Sequence, residues 1–149
     1  MLYTPHFLTG AAILKIVPSP VVGLPLALLS HIVLDLTPHH DFDITPGVTL
    51  SDIFKIEKKR KYFLLAILSL DFIVLLWAAG WVLFTSNNLL LMSGGIMGIL
   101  PDAIEQGLVL LLGKTLPGWQ DRLQWRVPAK YGFISYPIVS LIAIYILIK

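Results

Sequence analysis

The chain contains no cysteine, which excludes disulfides, thiolate metal sites and cysteine nucleophiles and leaves the redox compartment undecided. It is also poor in charge: 13% of its 149 residues are Asp, Glu, Lys or Arg, against about 25% in a soluble domain. A water-soluble fold of this length lacks the polar side chains to cover the 56% that are hydrophobic, and the mean hydropathy of +0.82 points the same way. A large excess of one charge sign is missing too. Eleven Lys and Arg against nine Asp and Glu give +2. The basic residues are clustered, so the pI of 8.9 describes orientation in a membrane and not a nucleic-acid surface. The N-terminus lacks the basic start of a secretory signal, since its first positive side chain is Lys15, and it is expected to belong to the mature fold. No internal repeat or low-complexity tract is visible, and the length fits a single membrane domain over residues 1–149.

Long apolar runs are what the chain does have. A bilayer core of about 30 Å takes about 20 residues of helix, with roughly 17 to 25 workable. Tyr62–Phe84, Leu89–Leu112 and Tyr131–Ile148 meet that length with few polar interruptions. Earlier, Pro5–Val17 is apolar but short, the Pro18-Ser19-Pro20 turn stops it, and Val21–Leu36 then runs to Thr37-Pro38. These two segments predict a short helical hairpin, either spanning or re-entrant. The expected fold is therefore all-α, an integral membrane helical bundle of about four or five segments.

Lys and Arg in short loops stay on the cytoplasmic side. His39–Lys61 carries Lys55 and the Lys58–Lys61 basic run, Gly113–Lys130 carries Lys114, Arg122, Arg126 and Lys130, and the Thr85–Asn88 turn carries no positive charge. Both basic loops, and the N-terminus if both early segments span, are thus expected on the cytoplasmic face of an inner membrane crossed several times. Trp77, Trp81, Trp119 and Trp125 suit interfacial anchors. Phe42–Lys61 interleaves apolar and charged residues and reads equally as an amphipathic surface helix or a polar connector.

An ionisable side chain at membrane depth costs about 2.5–3.5 kcal/mol on insertion scales, so each one in a span needs a reason. His31 and Asp35 sit four residues apart, on one face of the second segment. His39, His40, Asp41 and Asp43 follow the Thr37-Pro38 break, His6 opens the first segment, Asp71 lies in the third helix, and Asp102 and Glu105 share a face of the fourth. At 1.5 Å per residue from the cytoplasmic helix ends, Asp35 is expected about 2–3 Å deep, His31 about 8–9 Å, Glu105 about 10 Å, Asp71 about 13–14 Å and Asp102 about 15 Å. His6 falls near the cytoplasmic mouth. Imidazole and carboxylate together are a ligand set for a divalent ion, Zn first and Mn or Fe next. His6, His31, Asp35, His39 and Asp41 are the candidate ligands, with Glu105 and Asp102 as candidate catalytic carboxylates. The structural alternative for His31 and Asp35 is a hydrogen-bonded pair tying helices together, and for Asp102 and Glu105 it is pairing with a loop Lys or Arg. His40 and Asp43 read as solvated loop residues, and Asp71 as a local hydrogen-bond acceptor for Ser69 or a tyrosine. Gly94, Gly95 and Gly98 permit close helix approach, and Pro101 frees a backbone carbonyl beside Asp102.

His6 with Gly10, Ser30-His31-x-x-x-Asp35-x-x-Pro38-His39-x-Asp41 and Gly98-x-x-Pro101-Asp102-x-x-Glu105 together resemble small bacterial and archaeal membrane proteins grouped as inner-membrane metal-dependent hydrolases. His-x-x-x-Asp followed closely by His is similar to part of the ligand set of zinc-dependent phospholipase C. The likeness covers about the first 45 residues and the middle of the fourth helix. It implies a metal-dependent hydrolase working on a lipid or lipid-linked ester or phosphoester near the headgroups. It also implies a further histidine after the fourth helix, and Trp119–Arg126 holds none, which leaves a smaller ligand set or a degenerate site. Two other classes fit the same residues: a proton- or ion-coupled carrier, for which buried carboxylates and broken helices are also expected, and a non-catalytic scaffold with a polar or structural-metal core. A homo-oligomer would supply the inverted repeat that a carrier of this size lacks.

Overall fold

The computed structural model describes residues 2–40, 55–86, 88–112 and 124–149. Among them the chain is all-helical: α1 (Tyr3–Ile16), α2 (Pro20–Asp35), α3 (Lys58–Ser86), α4 (Leu89–Leu112), α5 (Ala129–Gly132) and α6 (Ser135–Ile148). Asp41, Asp43, Trp119 and the possible surface helix from Phe42 lie wholly or mostly outside the described residues.

Proline and hydroxyl residues set the boundaries. α1 stops at Val17, and Pro20 opens α2 at a position where its missing N–H costs nothing. At the far end of α2, Thr37 turns its hydroxyl back onto the Leu34 carbonyl at 2.6 Å, and Pro38 cannot continue the helix. Asn88 starts α4 by accepting the Leu90 N–H on its side-chain oxygen at 2.9 Å, a standard N-terminal cap. The run expected to be continuous from Tyr131 is instead broken between α5 and α6. Pro137 gives the reason: its ring occupies the space that the carbonyl of Phe133, four residues back, would take in an unbroken helix.

α1 is the central helix and packs against α2, α3, α4 and α6, most extensively against α4. It is buried over most of its length, with only Lys15 and Ile16 at its end exposed, and Phe7, Leu8, Ala11, Ala12 and Leu14 form the core with Ala78, Val82, Leu91 and Ala143 from its neighbours. α1 and α4 run antiparallel and almost in backbone contact. A Cβ on Gly98 would strike the His6 carbonyl, and one on Gly94 would lie 2.6 Å from the Gly10 carbonyl oxygen, so only glycine fits this crossing. Gly95 lies under the Phe7 ring. This is the close approach of hairpin and fourth helix expected from Gly94, Gly95 and Gly98.

α1 and α2 are short, about 21 and 24 Å, beside α3 and α4 at about 43 and 36 Å. α1 starts beside Asp71, thirteen residues into α3, and α2 ends where Asp35 faces His6. The two short helices therefore meet partway along the long ones. The outside of the bundle is apolar: Phe63, Leu70, Ile73, Trp77 and Phe84 on α3 and Leu141 on α6 are exposed, while His6, His31, Asp35, His39 and Asp71 are buried. Among the described residues one helix, Lys58–Thr85, is long and apolar enough to cross a membrane; α2 and α6 are apolar but shorter.

Candidate metal site

Three helices bring their polar residues to one point. α1 supplies His6, α2 supplies His31 and Asp35 one turn apart, and α4 supplies Asp102 just after Pro101. His6 is 0% exposed and His31 1%, and their rings stack with centroids 4.1 Å apart. His31 Nδ1 lies 2.9 Å from the Gly98 carbonyl. A carbonyl only accepts, so Nδ1 carries the proton and donates it, and in the neutral ring Nε2 is left with its lone pair. That lone pair faces carboxylate oxygens, Asp102 Oδ1 at 3.3 Å and Asp35 Oδ2 at 3.4 Å. His6 Nε2 stands 3.4 Å from Asp35 Oδ1. Neither nitrogen of His6, nor Nε2 of His31, makes a hydrogen bond among the described residues.

Charge decides what such a site can hold. Two carboxylates and two neutral imidazoles carry two negative charges in a site that is buried except at Asp102, whose side chain is 19% exposed. Protonating both imidazoles would put two cations in rings stacked at 4.1 Å, and protonating one leaves the balance negative. A divalent cation neutralises both carboxylates at once and gives the orphaned nitrogens a partner. One separation agrees with this: bonds of about 2.0–2.1 Å in a tetrahedron set its ligand atoms about 3.3–3.4 Å apart, and His31 Nε2 stands 3.3 Å from Asp102 Oδ1. His6, His31 and Asp102 each offer a ligand atom, all within 4.8 Å of one another, and this group could hold a metal ion. The bond from His31 Nδ1 to the Gly98 carbonyl is the outer-sphere contact that fixes the tautomer of a metal-binding histidine.

The other expected residues take different places. Asp35 touches both imidazoles but lies outside the three-residue group. His39 is buried beside a strap formed by residues 124–127. Its N–H donates to the Trp125 carbonyl at 3.1 Å, its carbonyl accepts from Val127 N–H at 2.9 Å, and its Nδ1 donates to Thr37 O at 2.8 Å. Trp125 N–H in turn donates to the Asp35 carbonyl at 3.2 Å, so the strap ties down the end of α2 that carries the site. His39 is not in the three-residue group. Glu105 is half-buried, one turn beyond Asp102. His40 is not a loop residue in solvent: its Nδ1 donates to Val127 O at 3.1 Å, and its carbonyl accepts from the Tyr136 hydroxyl.

Asp35 and His6 stand beside Asp102, about 15 Å before the end of α4, because α1 begins and α2 ends partway along that helix. Asp71, expected to bond Ser69 or a tyrosine, instead accepts the Tyr3 and Thr4 backbone N–H groups at 2.8 and 3.2 Å. The Gly98 carbonyl was not foreseen as a partner for His31. Pro101 does not announce it, since the carbonyl that a proline deprives of its helical donor lies four residues back, at Met97, and α4 continues through Pro101. No protein-family model, curated protein or solved structure matches the chain.

Proposed function

We propose that the chain is a multi-pass inner-membrane protein that uses a divalent metal ion, Zn first and Mn or Fe next, to hydrolyse a lipid or lipid-linked ester or phosphoester at the cytoplasmic interface. One observation carries the reading: His6, His31, Asp35 and Asp102, from three helices, converge in the buried interior of a bundle whose outer surface is apolar. That inversion of a soluble protein's polarity is what a lipid solvent asks of a fold. The alternating directions of α1, α2 and α4 also agree with a topology that puts both basic loops on one side of the membrane. The resemblance of the His-x-x-x-Asp and Pro-Asp-x-x-Glu stretches to membrane metal-dependent hydrolases favours the same chemistry.

In this reading His6, His31 and Asp102 hold the ion, and Asp35 sets both imidazoles by facing the Nε2 of each with one carboxylate oxygen. A bound divalent ion supplies charge neutralisation and an activated water. Glu105, half-buried one turn from Asp102, would be the carboxylate to accept a proton there. The strap at Trp125 and Arg126 borders the site on the side of the basic loops, where Arg126 and the Lys58–Lys61 run suit an anionic headgroup. The test is hydrolysis of a panel of phosphoester and carboxyl-ester lipids in mixed micelles, with chelator and then with Zn or Mn restored. Metal-dependent release with at least one class is expected; none with any class overturns the hydrolase reading. Short helices that meet inside the bundle also suit an ion-coupled carrier, which metal-independent ion flux in proteoliposomes would reveal.

A further inference from the structure

We propose that Asp71 is a positioning residue for the metal site: reaching across from α3, it caps the buried start of α1 and so fixes His6. The inference rests on the reading of His6 as a metal ligand. A helix leaves its first four backbone N–H groups without intrahelical partners. At a protein surface water takes them, but the first turn of α1 enters the bundle, with Thr4 and Pro5 buried, where an orphan is costly. Of those four, the Tyr3 and Thr4 N–H groups donate to Asp71 Oδ2 and Oδ1 at 2.8 and 3.2 Å, and Pro5 has no N–H to satisfy. The Thr4 hydroxyl closes the clamp by donating to the Asp71 backbone carbonyl at 3.1 Å.

The arrangement explains two features together. It gives Asp71, 7% exposed in the middle of an apolar helix, the reason that a carboxylate at such a depth requires. Its charge also meets the positive end of the α1 dipole. It further accounts for how His6, two residues past Thr4, is held in register: α1 is pinned by Asp71 at its first turn and by the Gly94 and Gly98 contacts further along. The His6 ring rests on His31 and faces Asp35 at 3.4 Å, and the height at which it meets them is set by the helix that carries it. The nearest hydrogen bonds fixing that helix are those to Asp71.

The experiment compares Co(II) binding by wild type, Asp71→Asn and Thr4→Val, each purified in detergent, by titration and by the visible absorption of the bound ion. Asn keeps one acceptor and presents an amine to the other backbone N–H; Val removes only the hydroxyl and is the milder variant if Asp71→Asn does not fold. Asp71→Asn is expected to weaken Co(II) binding about 10–100-fold, the range seen when outer-sphere partners of metal ligands are lost, with an altered visible spectrum. Thr4→Val should weaken it in the same direction by a smaller factor. A merely structural cap would lower the melting temperature of the metal-free protein and leave affinity and spectrum as in wild type, and that result overturns the proposal. A wild type that binds no Co(II) would instead overturn the metal reading on which it stands.

Discussion

Adding one methyl group to α4 at two glycines should move stability in opposite directions. At Gly94 an added Cβ lies 2.6 Å from the Gly10 carbonyl oxygen and 2.7 Å from Leu14 Cδ2, whereas ordinary contact begins at 3.4 Å. The backbone of α1 has to withdraw about 0.8 Å, a form of overpacking that costs about 1–3 kcal/mol. Against this, Ala exceeds Gly in a helix by about 0.5–1 kcal/mol. Gly94→Ala is therefore expected to lose about 1 kcal/mol net, which for a chain of this length lowers the melting temperature by about 2–4 °C. At Gly107 a Cβ meets nothing within 4 Å, so Gly107→Ala keeps the propensity gain and should melt level with wild type or above it. Both variants and wild type would be followed by tryptophan fluorescence during heating in one detergent. If Gly94→Ala melts as high as Gly107→Ala, the backbone contact between α1 and α4 is not what holds the hairpin in place.

Three further outcomes follow from the same geometry. Glu105→Gln is expected to keep its metal and lose about 100- to 10,000-fold in hydrolysis, while Asp102→Asn should lose the metal itself; activity with metal content in one preparation separates the two. Thr37→Val removes the hydroxyl bond to the Leu34 carbonyl and should lower stability by about 0.5–1.5 kcal/mol, checked by thermal unfolding. Because the chain has no cysteine, single cysteines introduced at Glu57 and Asn87 give a clean accessibility test, and a membrane-impermeant reagent should label them from opposite sides. Labelling of both from one side would refute the proposed topology.

Much of the candidate site was legible because it depends on local spacing. His31 and Asp35 sit on one helical face by their interval of four, and an ionisable residue in an apolar run stands out wherever it falls, as His6, Asp71 and Asp102 do. What spacing could not show was where helices begin relative to one another. Counting residues from the ends of apolar runs treats all helices as flush, whereas α1 begins and α2 ends partway along α3 and α4. The partner of Asp71 was out of reach for the same reason, since Tyr3 and Thr4 are nearly seventy residues away in sequence. The Tyr-Thr-Pro start of α1 does hint that its first turn needs few outside acceptors. The strap from residue 124 joins His39 through backbone bonds, which carry no side-chain signature. By contrast, Pro137 marked the break before α6 in plain view, and the apolar run around it hid the signal.

The account stands on a divalent ion at His6, His31 and Asp102, and the most direct test is elemental analysis of the protein purified in detergent without chelator. Wild type, His31→Ala, Asp35→Ala and Asp102→Ala would be measured side by side, with thermal stabilisation on adding Zn or Mn to each chelator-treated sample. A stoichiometric ion and metal-dependent stabilisation in wild type, both abolished by His31→Ala and Asp102→Ala and weakened by Asp35→Ala, is the predicted result. Wild type empty of metal, unmoved by Zn or Mn and indistinguishable from the variants, would contradict the account.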